Sequence, residues 1–323
     1  MTEGVGRSAW HGIEVRHLAA LQALAEEASF HGAARRLGYS QPAVSQQLAA
    51  LERIVGTQLV NRPRVSQPLT LTDAGERLLV HARAIQASLA TAEAELGAGG
   101  TIQLRVGTYQ TVAALVLPHV VRELARTDPG IEVQFDDRSD ETALVQALER
   151  GDLDACFVDL PRHDQDALQT EPLALDEYVL VVPHSGRKVA ARAPLREAEL
   201  RGLKLIAFKS SGSTHRLIRH LRGHGLEPEF VLRTDDNTVV QGFVAAGFGA
   251  ALIPGLAAGL LAGSFEVLRF EPALPPRVIA LAWTRDLNAA PALRAFVAAT
   301  RRVSARVWRD RAVAREQQAA AIA

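Results

Sequence analysis

The stretch "YSQPAVSQQLAALE", Tyr39 to Glu52, decides how the first part of this chain folds. Val44, Leu48 and Leu51 recur at spacings of four and three residues, which predicts an amphipathic helix with one buried stripe. Pro42 is suited to the first turn of that helix. The exposed side of its first turns carries serine and glutamine, where an ordinary surface helix would carry charged residues.

The residues before this stretch predict a shorter helix that turns tightly into it. "FHGAARRLG" follows Ser29, a capping residue, and ends at Gly38. Two helices joined by a short glycine-containing turn, the second one beginning with exposed polar residues, form a helix-turn-helix. Serine, glutamine and arginine match the donor and acceptor patterns of base edges in the major groove, while phosphates repel glutamate. The pattern therefore predicts a recognition helix for double-stranded DNA.

A small β-hairpin is predicted after Gly56, where "LVNRPRVSQPLTLT" has apolar ends around a turn that contains Arg62 and Arg64. Such a wing is placed to contact the DNA backbone or the minor groove. Between residues 29 and 66 there are five arginines and one glutamate, a local charge of +4 in a chain that is neutral overall. The charge distribution agrees with the predicted DNA contact.

A long helix is predicted over residues 73 to 96, with apolar residues spaced 4-3-4-3-4. This heptad seam is typical of a helix that pairs with another helix, and packing onto the chain's own core is the alternative. The predicted dimerisation residues are Leu78, Ala82, Ile85, Leu89, Ala92 and Leu96.

Beyond the flexible "GAGG" at 97 to 100, strand and helix patterns alternate in two sets, which predicts α/β subdomains with largely parallel sheets. The 323 residues are 48% hydrophobic and 22% charged, as in ordinary globular proteins. The single cysteine, Cys156, excludes an internal disulfide framework and a CxxC pair. Neither a signal peptide nor a membrane span is apparent, so we expect a cytoplasmic protein without a membrane partner.

The segments "LAEEASFHGAARRLGYSQPAVSQQLAALERIVGTQLVNR" and "LTLTDAGERLL" resemble the N-terminal domain of LysR-type transcriptional regulators. The resemblance implies a winged helix-turn-helix, a dimerising linker helix, and two Rossmann-like subdomains as in periplasmic binding proteins. It places DNA contacts on Gln41, Pro42, Ser45, Gln46 and Arg62, and position and charge add Ser40, Arg35 and Arg64 as candidates. Many family members have arginine at the position of Gln46, so we expect a different base preference there.

The resemblance also implies a small-molecule effector, bound where strand ends meet helix starts between the two subdomains. Hydroxyl- and amide-rich helix starts follow three of the predicted strands. The predicted effector-binding residues are Thr108, Gln110, Thr111, Ser139, Lys209, Ser210, Ser211 and Asn237. Family members commonly hold a small organic acid there, but these groups also suit sugars, amides or aromatic compounds. Plain N-capping is the structural alternative for each of them.

Three other functions are less well supported by the sequence. An enzyme is disfavoured because no GxSxG, HExxH or P-loop motif is present. Four histidines, His184, His215, His220 and His224, show no persuasive zinc-ligand spacing, so we predict neither a metal nor a cofactor. A solute-binding protein would leave the helix-turn-helix unexplained, and an architectural DNA-binding protein would leave the α/β part unexplained.

The sequence thus predicts a ligand-responsive transcription regulator that contacts operator DNA, a small effector, its own copies in a dimer or tetramer, and RNA polymerase. The predicted segments are the DNA-binding domain (13–72), the linker helix (73–97), effector subdomain I (101–160 with 269–305), effector subdomain II (161–268) and a C-terminal extension (306–323).

Overall fold

The computed structural model describes residues 9–61, 68–95, 101–138, 140–161, 168–183, 194–263, 265–287 and 290–322. The chain divides into two compact units, an N-terminal unit of residues 1–100 with 149–152 and an effector unit of residues 101–148 with 153–323. Among the described residues, no helix is long and apolar enough to span a bilayer.

The N-terminal unit is a winged helix-turn-helix followed by a long helix. Its elements are α1 (Val15–Glu27), α2 (Phe30–Leu37), α3 (Gln41–Val55), β1 (Val60–Asn61), β2 (Thr70–Leu71) and α4 (Asp73–Glu95). Strands β1 and β2 pair antiparallel, which confirms the predicted hairpin. Leu21, Leu24 and Leu48 pack in one core formed by α1, α2, α3 and the start of α4.

A glycine lets α4 begin close to the loop before β1. A Cβ atom on Gly75 would lie 2.0 Å from the carbonyl oxygen of Leu59, so only glycine fits there without a shift of the backbone. The hydroxyl of Thr72 accepts a hydrogen bond from the Gly75 N–H and donates one to the Gln58 carbonyl. These contacts join the hairpin to the first turn of α4.

The effector unit contains two five-stranded sheets with helices on their faces. Its strands are β3 (Ile102–Thr108), β4 (Ile131–Asp137), β5 (Ala155–Leu160), β6 (Leu168–Asp176), β7 (Tyr178–Pro183), β8 (Lys204–Ala207), β9 (Glu229–Arg233), β10 (Ala250–Pro254), β11 (Phe265–Leu268) and β12 (Arg277–Thr284). Its helices are α5 (Gln110–Leu115), α6 (Leu117–Thr127), α7 (Glu141–Glu149), α8 (Gly212–Gly223), α9 (Asn237–Ala245), α10 (Gly255–Ala258) and α11 (Pro291–Ile322).

The strand order defines the two subdomains. Subdomain I has the order β4-β3-β5-β12-β6, and subdomain II has the order β11-β7-β10-β8-β9. Strands β3, β4 and β5 are parallel, as are β8, β9 and β10, while β12 and β7 pair antiparallel with their neighbours. The central strand β5 is buried over almost its whole length, and it includes the buried Cys156.

The predicted subdomain boundaries at 161 and 269 are wrong. Residues 168–176 fall in the range predicted for subdomain II, but they form strand β6, which pairs with β12 in the sheet of subdomain I. Phe270 and Leu274 were predicted to belong to subdomain I, but they pack in the core of subdomain II. Both errors have the same form: the backbone crosses from one sheet to the other several residues after the predicted boundary.

The predicted boundary at 306 also does not mark a change of structure. Helix α11 continues from Pro291 to Ile322. Val307 and Trp308 pack against the core of subdomain I, and the Trp308 indole N–H donates to the carbonyl of Leu175 at 3.2 Å. The helix therefore belongs to subdomain I at least as far as Trp308.

Candidate functional site

The first turn of α3 is held by local capping. The Ser40 hydroxyl accepts a hydrogen bond from the Ala43 N–H, and Pro42 occupies the first turn, where a missing N–H costs nothing. Gly38 ends α2 in the left-handed region at φ 67°, which a residue with a side chain adopts only with strain. This turn sets the direction in which α3 leaves α2.

The predicted base-contacting residues share one exposed surface at this helix start. Val44 and Leu48 face the core, while the polar side chains point to solvent. The exposed residues are Ser40, Gln41, Pro42, Ser45 and Gln46. We call these five residues the recognition surface. Its hydroxyl and amide groups are accessible to a nucleic-acid groove.

The charge around the recognition surface is smaller than the local sequence count indicates. Arg35 is exposed, but Arg36 forms ion pairs with Glu26 and with Glu27, which lie in α1 outside the counted window. Arg62 and Arg64 lie outside the described residues. Of the three arginines predicted to contact DNA, Arg35 is the one that the structure describes, and it is exposed to a phosphate.

The predicted dimerisation seam separates into two parts. Leu78 is 7% exposed and Ala82 is fully buried, and both pack in the core of their own N-terminal unit. Their assignment to a dimer seam is wrong, because α4 uses its first turns to cover α1. Ile85 and Leu89 are 45% and 46% exposed. Ala92 is exposed as well, and Leu96 lies outside the described residues.

A pocket lies between the two sheets of the effector unit, at the strand ends and helix starts where the sequence predicts it. Its cavity volume is about 50 Å³, or about 480 Å³ when the open space at its mouth is included. It is lined by Tyr109, Gln110, Thr111, Glu141, Asp159, Phe208, Ser211, Asp235, Asn237 and Arg277. Four of the eight predicted effector-binding residues line it, namely Gln110, Thr111, Ser211 and Asn237.

The other predicted effector-binding residues do not line the pocket. Thr108 is fully buried in β3, and its hydroxyl contacts the adjacent Tyr109 carbonyl. Lys209 and Ser210 lie in the loop before α8, and Ser139 lies outside the described residues. Thr108, Lys209 and Ser210 are therefore not among the residues that line this pocket, and their assignment to effector binding stays a prediction.

A buried arginine forms the centre of the pocket wall. Arg277 is 3% exposed, and its Nε and Nη2 atoms donate to Asp176 Oδ2 at 3.0 and 2.9 Å. Its Nη1 lies 3.6 Å from Asp159 Oδ2, and its guanidinium lies over the Tyr109 ring at 5.3 Å. Burial acts to lower the pKa of Arg277, but the two carboxylates and the tyrosines outweigh it and raise that pKa. The negative charges of the two aspartates therefore keep the guanidinium of Arg277 charged.

Asp159 extends this network from subdomain I to subdomain II. Its Oδ1 accepts a hydrogen bond from the Tyr109 hydroxyl at 3.0 Å, and its Oδ2 accepts one from the Ser213 hydroxyl at 2.7 Å. Ser213 also bonds the Tyr178 hydroxyl, which lies 3.1 Å from Thr214 Oγ1. Burial raises the pKa of both tyrosines, and the charge of Asp159 adds to the increase. Both phenols therefore stay protonated and can donate.

A second contact across the cleft joins two amide side chains. Gln110 Oε1 accepts hydrogen bonds from the backbone N–H and the side-chain amide of Asn237. The side-chain oxygen of Asn237 is buried and has no hydrogen-bond partner among the described residues. An unfilled acceptor therefore remains in the pocket wall.

The backbone donors at the start of the loop before α8 are already occupied. Asp235 Oδ1 accepts hydrogen bonds from the N–H groups of Lys209 and Ser210, each at 2.9 Å. Asp235 thus uses donors that an effector carboxylate could otherwise have used. The pocket lining contains three carboxylates, of Glu141, Asp159 and Asp235, against the guanidinium of Arg277, which leaves a formal charge of −2.

The sequence analysis missed the charged members of this site. Asp159 and Arg277 lie at the ends of apolar strands, in "CFVDL" and "RVIALAW". A charge at the end of a buried strand is an unusual feature that could have identified both. Asp176 ends β6, which the sequence analysis did not identify as a strand, so no comparable signal was available for it.

Two family models match this chain over nearly its whole length. Residues 15–76 match the helix-turn-helix of a bacterial regulatory protein of the lysR family, and residues 97–305 match the LysR substrate binding domain.

Named relatives and solved structures agree with these matches. A probable hydrogen peroxide-inducible genes activator of Mycobacterium avium is 33% identical, over 73% of this chain and 76% of the relative. A small neutral protease regulatory protein of Streptomyces coelicolor is 34% identical, over 73% and 68%. Full-length OxyR from Pseudomonas aeruginosa has a TM-score of 0.72 at 23% identity, covering 90% of this chain and 95% of that one. CbnR in complex with its target DNA has a TM-score of 0.58 at 24% identity, covering 90% and 100%.

Proposed function

This chain belongs to the LysR family of transcriptional regulators, and from that premise we propose which of its residues contact DNA, a second copy and the effector. It is a DNA-binding regulator with an effector domain, and not an enzyme. The observation that carries the proposal is the exposed polar start of α3 within a winged helix-turn-helix. Because a bacterial transcription regulator binds chromosomal DNA, the proposal includes a cytoplasmic location. It also includes RNA polymerase as a further partner.

The recognition surface reads base edges, while Arg35 contacts phosphate. Ser45 and Gln46 lie on the second turn of α3, on the side opposite the buried Val44 and Leu48, so their side chains can enter a major groove. Arg62 and Arg64 belong to the proposal on their sequence alone.

A footprint on the DNA immediately upstream of the protein's own gene tests this function. We expect protection of two regions that are spaced by whole helical turns, because a two-fold dimer presents two recognition helices. Salt-sensitive binding to every DNA alike would leave only a nonspecific binder. A folded, dimeric protein that binds no DNA would contradict the proposal.

The exposed part of α4 forms the dimer. Ile85 and Leu89 are four residues apart on one helix face and remain exposed after Leu78 and Ala82 are used by the core. We expect Ile85→Asp and Leu89→Asp each to yield monomers in sedimentation and to weaken operator binding. The control is Leu175→Asp, which changes another exposed leucine and should leave the dimer intact. An intact dimer in both seam variants would contradict the assignment. The proposed tetramer would add pairing through the effector unit.

The effector binds in the pocket between the subdomains, and we propose that it presents hydrogen-bond donors or a positive charge. Three features of the pocket favour an effector with hydrogen-bond donors over an acid. The lining has a formal charge of −2, Asp235 already occupies the N–H donors of the loop before α8, and the side-chain oxygen of Asn237 has no described partner. The proposed effector is therefore a small amine or amidine, and not the organic acid that the family resemblance suggests. The single cysteine is buried in β5, so an intramolecular disulfide switch is not proposed.

A matched panel of small amines and carboxylic acids tests the effector class by calorimetry. Binding by an amine and not by the acid of the same skeleton is expected. Asp235→Asn should weaken amine binding by about tenfold or more, since a hydrogen bond to a charged group contributes roughly 1.5–3 kcal/mol. Glu227→Gln, a charge loss at an exposed site in subdomain II, should leave binding unchanged. Selective binding of the acids would overturn the proposed class and leave the DNA function intact.

A further inference from the structure

A cluster of two histidines and one glutamate lies on subdomain II, outside the effector pocket. His220 and His224 are four residues apart at the carboxyl end of α8, so their rings share one side of the helix. Glu197 lies in a short 3-10 helix, Glu197–Leu200, that approaches the same side. The H-x-x-x-H spacing is visible in the sequence, but Glu197 is 23 residues away from His220 and only the fold brings it there.

The donor atoms of the three side chains converge on one point. His220 Nε2 lies 3.2 Å from Glu197 Oε2, and His224 Nδ1 lies 3.0 Å from Glu197 Oε1. One ligand atom from each residue falls within 4.8 Å of the other two. The two imidazole rings stand edge to face with centroids 4.2 Å apart. Two imidazole nitrogens and a carboxylate oxygen at these separations can share one ion.

We propose that Glu197, His220 and His224 form a binding site for a divalent transition metal ion, with Zn²⁺ as the representative. Imidazole ligands suit zinc, nickel and copper, whereas calcium and magnesium prefer oxygen donors. Three protein ligands leave a tetrahedral ion with one open position for water. Glu197 and His220 are partly buried and His224 is exposed, so an ion can enter from solvent.

The metal site is separate from the effector pocket. Ser211, which caps the start of α8, lines the pocket, and His220 lies nine residues further along. At 1.5 Å per residue the two sites are separated by roughly 13 Å along the helix. The ion would join the carboxyl end of α8 to the 3-10 helix of the preceding loop. Metal binding and effector binding can therefore be measured independently.

A hydrogen-bonded cluster without a metal is the alternative that the experiment must exclude. Zn²⁺ titration of the full-length protein at neutral pH, against a chromophoric chelator, measures affinity and stoichiometry. We expect one ion per protomer, and no comparable response to Mg²⁺ or Ca²⁺. His220→Gln, His224→Gln and Glu197→Gln should each weaken binding by about tenfold or more, as losses around metal sites do.

His215→Gln is the matched control, because His215 lies on the same helix and contacts Arg233 instead of the cluster. Its Zn²⁺ affinity should equal that of the unchanged protein. Melting temperatures measured in excess chelator check that every variant is folded, and Zn²⁺ should raise the melting temperature only where the site is intact. Visible absorption of bound Co²⁺ gives a second readout of the ligand set. The proposal is overturned if no ion binds, or if the three cluster variants bind as tightly as the control.

Discussion

The starts of α3 and α8 look alike in sequence and differ in the folded protein. Both begin with a capping serine, Ser40 and Ser211, followed by further hydroxyl groups within one or two turns. At α3 the polar side chains remain exposed. At α8, Ser213 and Thr214 are buried and bonded to Tyr178, and Ser213 also bonds Asp159.

The difference lies in what faces each helix start. The described elements of the N-terminal unit bury Val44 in the first turn of α3 and leave the polar side of that turn exposed, so its side-chain donors and acceptors are accessible to a partner outside the chain. The first turn of α8 faces the buried carboxylate of Asp159 and the buried phenol of Tyr178, which satisfy its hydroxyls from within. A hydroxyl-rich helix start is therefore left exposed for the proposed DNA contact in one case, and it is bonded inside the protein in the other.

Removal of the buried charge near α8 should have the largest effect. Arg277→Met leaves Asp159 and Asp176 buried without their cation, and breaking a buried ion pair costs about 3–5 kcal/mol of unfolding free energy. Urea unfolding monitored by fluorescence measures the change. Arg301→Met removes an exposed ion pair with Glu171 and should cost far less, because solvent screens that pair. Equal losses in the two variants would show that the Arg277 network contributes no more than a surface pair.

Ser213→Ala tests the internal role of the α8 hydroxyls. It removes a donor to Asp159 and a partner of Tyr178, and leaving buried polar groups unsatisfied costs about 1–3 kcal/mol. Stability should fall by this amount, whereas the affinity for operator DNA of the folded protein should stay the same. A variant as stable as the parent would mean that water replaces the hydroxyl.

The same substitution at Ser45 should have the opposite pattern. Ser45→Ala changes an exposed residue, so the unfolding free energy should move by no more than about 0.5 kcal/mol. Discrimination between the operator and a site with one altered base should fall by roughly 1–3 kcal/mol if Ser45 makes a base contact. Competition binding with both DNAs measures it. Equal weakening on operator and random DNA would reassign Ser45 to the phosphate backbone.

Much of the N-terminal unit could be predicted because its signals are local. The stripe of Val44, Leu48 and Leu51, the cap at Ser29 and the stop at Gly38 each depend on residues within four or five positions, and helix and turn geometry are fixed at that range. The exposed recognition surface follows directly, because a helix that buries one stripe must expose the other side. The alternation of strands and helices in the effector unit was predicted for the same reason, although β6 was not identified.

Only the tertiary structure decided which polar groups remain available. Arg277 meets Asp176 across 101 positions, Ser213 meets Asp159 across 54, and Asn237 meets Gln110 across 127. Nothing in a local pattern indicates such partners, so the acidic pocket and the gathering of Glu197 with His220 were not predictable. The sequence left two alternatives for Leu78, a dimer seam or its own core, and the fold decided between them. Periodicity determines which face of an element is buried, and the fold alone determines what that face, or the opposite one, meets.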